Sequence, residues 1–354
     1  MKTLSELISL DSSENQDKII EYIKNKLENK VKEIKIIKNK TNKKLSLIAG
    51  INTELSNVSP IVLSGHIDTV PASLSENQNN PFVATQVDDR LYGLGTIDMK
   101  SFTAIILDNI ETLSKLTYPI IFTQSTDEET NLNCIETIIS MLKNLKITPK
   151  FTIIGEPTNS TFKLKSKGCY EYVIDFYGKT CHSSVPSNGI NSICIASKLI
   201  TFIEETQKQF DLTSNCAVIS GGEATNKVPE ETTFKFDIRS FDENQVKLFI
   251  KSIKNKLKSL KAEYVGFEYK LQNTLKIPAF YNKNIKKMQN IIKLNKNSDT
   301  TFSGGCEAGY FTNYSIAAFA FGGSSIIIVV GVILETAREI EAQMTMRHYK
   351  GFLD

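Results

Sequence analysis

Ile61-Val62-Leu63-Ser64-Gly65-His66-Ile67-Asp68 is an apolar run that ends abruptly in an imidazole and a carboxylate. Two more stretches share the design: Ile120-Ile121-Phe122-Thr123-Gln124-Ser125-Thr126-Asp127-Glu128-Glu129 and Phe151-Thr152-Ile153-Ile154-Gly155-Glu156. Unbroken Ile, Val and Leu in such short runs predicts buried strands of a largely parallel sheet. Ligands collect outside the carboxyl ends of these strands. Asp98, in Leu94-Gly95-Thr96-Ile97-Asp98-Met99-Lys100, adds an acid to that edge. Carboxylates this numerous cannot share a small space unless cations neutralise them, so a metal site is the first expectation.

Working outward, 18–28 has helical spacing with Ile19, Ile20, Tyr22, Ile23 and Leu27 as its apolar positions. Strands are predicted at 31–37 and 45–51, a hairpin around 87–92, and helices at 99–116 and 131–145. Alternating strands and helices imply an α/β sheet with crossovers. After Pro157 the pattern changes. Strands at 170–177, 214–220, 232–240 and 263–271, with helices at 190–209 and 243–260, give the order β-α-β-β-α-β of a ferredoxin-like unit. It reads as a domain inserted at 163–274 into a first domain formed by 1–162 and 275–354, which resumes with a helix at 284–294.

The chain has 354 residues, room for two domains, and a net charge of only +3, too small to imply nucleic acid or a membrane surface. Its longest apolar stretch, 324–334, is too short to span a bilayer, which takes roughly 20 residues. The N-terminus, 1–11, reads as a short helix without a secretory pattern. Six cysteines are scattered with no C-x-x-C pair. They read as buried free thiols of a reducing compartment, and the expected location is the cytoplasm.

Each candidate residue also has an ordinary reading. His66 and Asp68, two apart on an extended segment, can point into one site; His66 alone is equally a buried histidine at a strand end. Asp98 can bridge two metals or cap a helix. Of Glu128 and Glu129, one can coordinate while the other handles a proton, or both can lie in a solvated loop. Glu156 is a third strand-end ligand or an acid in a Pro-marked turn. His182, in Gly178-Lys179-Thr180-Cys181-His182-Ser183-Ser184, taken alone is a surface histidine.

In this order and spacing the residues resemble the zinc-dependent amidohydrolase family of acetylornithine deacetylase, succinyl-diaminopimelate desuccinylase and bacterial glutamate carboxypeptidase. The segments most similar to the deacetylase are 65–71, 91–100, 127–130, 155–158, 182–184 and 237–239, and Cys306-Glu307-Ala308 looks like its threonine-glutamate-alanine element. The resemblance implies a mixed-sheet α/β zinc-hydrolase catalytic domain with an inserted ferredoxin-like dimerisation or lid domain, acting as a homodimer. It also implies roles. His66, Asp98 and Glu156 would bind one zinc, and Asp98 would bridge to a second held by Glu129, with cobalt an alternative metal. Asp68 would orient His66, Glu128 would be the general base, and His182 would stabilise the oxyanion. Asn226 and Arg239 would contact substrate or support the site, and Glu307 would meet the substrate's amino end. The implied reaction is hydrolysis of an N-acyl amino acid, foremost N-acetyl-L-ornithine in arginine biosynthesis.

One departure stands out. The family pattern ends with a histidine ligand after a glycine-serine loop. Here Phe321-Gly322-Gly323-Ser324-Ser325-Ile326 keeps the loop, but Val330 stands where the histidine is expected. The later His348 is too far downstream for the motif. Valine has no lone pair, so the expectation is fewer than two zincs per chain and impaired turnover. Two other readings follow: a desuccinylase, against which Lys165-Ser166-Lys167-Gly168 replaces a basic Gly-Arg-Arg-Gly element, and a protein that binds acyl amino acids without cleaving them.

Overall fold

The computed structural model describes residues 1–54, 58–72, 80–159, 161–281, 300–302 and 304–321. The expected helix at 284–294, the loop at 322–325, Val330 and His348 lie outside them. The chain divides into two compact units. Unit 1 is Met1–Lys165, Tyr281–Phe302 and Cys306–Asp354; unit 2 is Ser166–Phe280 with Ser303–Gly305.

Unit 1 is built on a six-stranded mixed sheet. Its strands are β1 (Glu33–Lys38), β2 (Leu45–Ile51), β3 (Ile61–His66), β4 (Ile120–Ser125), β5 (Phe151–Ile154) and, from the C-terminal return, β10 (Ala318–Ala320), in the order β1-β2-β4-β3-β5-β10. Strands β4, β3, β5 and β10 pair in parallel, and β2 pairs antiparallel with both β1 and β4. Every residue of β3, β4 and β5 is buried, as their unbroken apolar runs require. Helix α3 (Lys100–Asp108) crosses from β3 to β4, and α4 (Asn133–Asn144) crosses from β4 to β5. Helices α1 (Lys2–Ile8) and α2 (Asp17–Leu27) precede the sheet; α2 buries Ile19, Ile20, Ile23 and Leu27, one face at helical spacing.

The helix expected over 99–116 stops at Asp108. The Asn109 carboxamide donates to the Ile105 carbonyl (2.9 Å), and only a short turn, Ile110–Leu113, follows. An asparagine side chain that bonds the last turn competes with helix continuation.

Unit 2 has the expected element order: β6 (Gly168–Tyr177), α5 (Ser192–Thr206), β7 (Thr213–Gly221), β8 (Glu231–Ser240), α6 (Glu243–Glu263) and β9 (Glu268–Ile277). Its sheet runs β7-β8-β6-β9, antiparallel throughout. Alternate residues of β8 (Phe234, Phe236, Ile238) meet Ile195, Leu199 and Ile203 of α5 and Phe249, Ile253 and Leu257 of α6 in one core. Each large side chain buried this way contributes roughly 1.5–3 kcal/mol. Asn191 and Asp242 cap the two helices through side-chain oxygens that accept the amides of Cys194 and Asn244. The last strand lies further along than the sequence suggests. Helix α6 continues to Glu263, and Gly266, at φ +97, turns the chain into β9. Residues with a Cβ rarely adopt that conformation.

Cys134, Cys169 and Cys306 are buried free thiols as expected, but Cys194 is exposed. Among the described residues no helix is long and apolar enough to cross a membrane.

Candidate metal centre

His66 is the last residue of β3, and its register partner is Ser125, the last residue of β4. Ending both strands there places the segments 66–68 and 127–129 side by side at the carboxyl edge of the sheet. The buried His66 ring is held at both nitrogens. Nδ1 lies 3.0 Å from the Asp68 carbonyl oxygen and 3.4 Å from Asp68 Oδ1, and Nε2 lies 2.9 Å from Asp98 Oδ1. Asp98 precedes α3, is half exposed, and is joined to Met99 by a cis peptide bond. Glu156, two residues beyond β5, is buried.

His66, Asp98 and Glu156 each offer a ligand atom within 4.8 Å of the others, and no other such group of three occurs among the described residues. Glu156 Oε1 is buried without a hydrogen-bond partner. An imidazole and two carboxylates, one with an orphaned buried oxygen, suit a divalent cation such as zinc. The expected first set is therefore brought together by three separate elements.

The charges are crowded. Burial, together with the carboxylates of Asp98, Glu307 and Glu129, pushes Glu156 up to about 8 in spite of His66. Glu128 is raised well above the usual carboxylate range, chiefly by burial and then by Glu156, Asp68 and Glu307. Burial works against a charged His66, yet its bonds to Asp68 and Asp98 carry it well above its ordinary value. For Asp68 burial is outweighed by the His66 contact and by the amides of Glu129 and Glu128, so its carboxyl is held low.

Asp68 Oδ2 also accepts the Glu129 amide (3.0 Å), which ties the orienting acid to the acidic turn. Glu128 and Glu129 are half-buried there, and Glu129 is not part of the three-residue group. The turn is fixed by Asp127, which sequence reasoning passed over. Its carboxylate accepts from the amides of Asn133 and Cys134 (both 2.9 Å) and from Asn42 Nδ2 (2.6 Å). Its carbonyl accepts from the amides of Thr130, Asn131 and Leu132. The residue just before α4, Leu132, is left-handed (φ 51) and has no side chain that caps, so Asp127 caps the helix from six positions upstream. An acid beside two glutamates was the available signal, but the distance of the cap hid it.

Glu307, expected at the substrate's amino end, is 1% exposed in unit 1. One carboxylate oxygen accepts from Ser64 Oγ (2.7 Å) and the other from Ser125 Oγ. Neither serine was a candidate, although Ser64 stands two residues before His66 and so shares its sheet face.

The remaining candidates belong to unit 2. His182 is exposed, with Nδ1 2.8 Å from Ser184 Oγ. It bridges Lys227, and the Ser183 amide donates to the Asn226 carbonyl (3.0 Å), so His182 and Asn226 sit on paired segments. Arg239, half-buried in β8, donates through Nε to Asp237 (2.8 Å).

Comparisons with known proteins bear on this arrangement. Residues 164–265 match the peptidase dimerisation domain, M20_dimer. An acetylornithine deacetylase of Buchnera aphidicola is 39% identical over 196 residues, 51% of this chain and 50% of that protein. One of Pasteurella multocida is 35% identical over 193 residues, 51% and 50%. The chain spans about half the length of the curated relatives it matches. In fold, it is similar to a tripeptidase of Staphylococcus aureus (TM-score 0.78, 22% identity, 95% and 97% covered). It is similar also to a Bacillus subtilis dinuclear metal binding peptidase of the M20 family (TM-score 0.69, 15% identity, 96% of both chains). The chain thus has the fold of the M20 peptidases, with their dimerisation domain inserted, and over the half that aligns it is related to the acetylornithine deacetylases.

Proposed function

We propose that the chain is a metal-dependent amidohydrolase that cleaves N-acyl amino acids, with N-acetyl-L-ornithine giving ornithine and acetate in the cytoplasm. The observation that carries this reading is the convergence of His66, Asp98 and Glu156 around a buried, unpartnered carboxylate oxygen. The similarity to acetylornithine deacetylases over about half their length supports the choice of N-acetyl-L-ornithine as substrate.

His66, Asp98 and Glu156 would hold a divalent metal such as zinc or cobalt, and Glu129 would help to hold a second. A divalent cation there lowers the pKa of water to about 7 and polarises a carbonyl. Asp68 orients the His66 ring through its contacts at Nδ1. Glu128 takes a proton from the attacking water and gives it to the leaving nitrogen. Burial raises its carboxyl well above the usual carboxylate range, the direction that favours holding a proton after accepting it. By the same resemblance, His182 is assigned to stabilising the oxyanion, and Asn226 and Arg239 to contacting substrate or supporting the site. Unit 2 pairs two chains into a homodimer; its outer strand β7 has a strand neighbour on one side only among the described residues and exposes Val218 and Ile219.

Release of ornithine by the zinc-loaded protein, lost in Glu128→Ala with the metal retained, is the expected result. Release that survives the substitution would sink the assignment of the base. Binding of acyl amino acids without any turnover would favour a non-catalytic member, the outcome to which Val330 points.

A further inference from the structure

We infer that Glu307 is a positioning residue: with the hydroxyls of Ser64 and Ser125 it braces the carboxyl ends of β3 and β4, and so sets where His66 and the Glu128–Glu129 turn stand. The inference rests on the proposed metal site.

The brace is specific in its geometry. The two carboxylate oxygens are divided between two strands, Oε2 to Ser64 on β3 and Oε1 to Ser125 on β4. Ser64, Ser125 and Glu307 are all buried. Ser64 shares a sheet face with His66, and Ser125 is the register partner of His66, so Glu307 lies on the face from which the His66 ring projects. The carboxylate arrives from a distant segment and leads directly into the short helix α7 (Ala308–Asn313), whose Tyr310 amide donates to the Glu307 carbonyl (3.0 Å). A parallel pair of strands is already joined by backbone bonds, and those bonds do not fix the residues just past the strand ends. A side-chain cross-link at the last position of β4, and two positions before the end of β3, limits splaying where the candidate ligands emerge. Burial beside other acids is costly for a group that served packing alone. With 1% exposure and both oxygens engaged, Glu307 has little left to offer a substrate.

The test compares zinc affinity, by competition with a fluorescent chelator, and kinetics on N-acetyl-L-ornithine. The proteins are the parent, Glu307→Gln, Glu307→Ala and the double variant Ser64→Ala with Ser125→Ala. A carboxamide can accept from one serine and donate to the other, so Glu307→Gln should stay within a few-fold of the parent in zinc affinity. The double serine variant and Glu307→Ala should bind the first zinc about 10- to 100-fold more weakly, the range for groups that orient metal ligands. Their visible spectra with cobalt should shift, and kcat should fall at nearly constant KM. If Glu307→Ala does not fold, the serine pair, which keeps the charge, carries the test. Parental zinc affinity and an unchanged cobalt spectrum in the serine pair would overturn the brace. So would a rise in KM alone in Glu307→Ala, the mark of a substrate contact. A parent that cleaves no acyl amino acid would refute the proposed function, while loss of zinc affinity in the serine pair would still uphold the brace.

Discussion

Replacing Asp127 should destabilise unit 1 and loosen the turn that carries Glu128 and Glu129. Its carboxylate accepts three hydrogen bonds: two from the first amides of α4 at 2.9 Å and one from Asn42 at 2.6 Å. The side chain is 1% exposed, so water does not replace the lost acceptor. Loss of a helix cap costs about 0.5–2 kcal/mol, and a buried donor left unsatisfied costs about 1–3 kcal/mol. With one lost cap and one further orphaned donor, Asp127→Ala should cost about 1.5–5 kcal/mol. Asp127→Asn keeps the shape and one acceptor but turns an amide toward donors, and should fall between parent and alanine. Urea unfolding followed by circular dichroism gives the ordering. Turnover should fall with stability restored by lower temperature or added zinc, because the turn still lacks its anchor. An alanine variant within 1 kcal/mol of the parent, or one with parental kcat, would refute the reasoning that this residue fixes the acidic turn.

Zinc binding at His66, Asp98 and Glu156 should release protons, because Glu156 is pushed up to about 8 and His66 is raised in the metal-free state. From Glu156 alone, apparent affinity should drop about 50-fold between pH 8 and pH 6; chelator competition that is flat over this range would contradict the crowding of carboxylates. The same group sets a stability trend. The folded metal-free chain keeps a proton that the unfolded chain has already lost between about pH 4.5 and 8, so its stability should fall as pH rises through that window, read as a declining melting temperature. Lys100 behaves oppositely: burial lowers it to about 8 while its Nζ donates to the carbonyls of Leu7 and Leu10. The folded chain then holds fewer protons than the unfolded one from about pH 8 to 10.5, so stability relative to Lys100→Met should rise across that range; a constant difference would show that the ammonium is not desolvated. Metal analysis after dialysis should find fewer than two zincs per chain, and two tightly held ions would defeat the consequence drawn from Val330.

Much of the site was legible because its signals are local. A buried parallel strand announces itself by a continuous apolar run, and the residue that ends the run lies at the carboxyl edge whatever the surrounding fold. His66, Glu128 and Glu156 needed nothing more to become candidates. The β-α-β-β-α-β order of unit 2 followed from periodicity, and its one displaced strand was misplaced because a lysine-rich helix gives no sharp apolar stop before Gly266.

By itself the sequence determined the strand ends and the inserted unit, and it shows a valine at position 330, where the resemblance leads one to expect a histidine. Spacing along the chain fixes periodicity and composition, and these are enough for such assignments. The tertiary structure alone decided which candidates share a centre. It grouped His66 with Asp98 and Glu156, left Glu129 outside that group, and paired the His182 segment with that of Asn226. It also buried Glu307 between Ser64 and Ser125, 243 and 182 residues away in the chain. Contacts across such separations depend on strand register and on where a distant helix begins, and no periodicity within one segment encodes either.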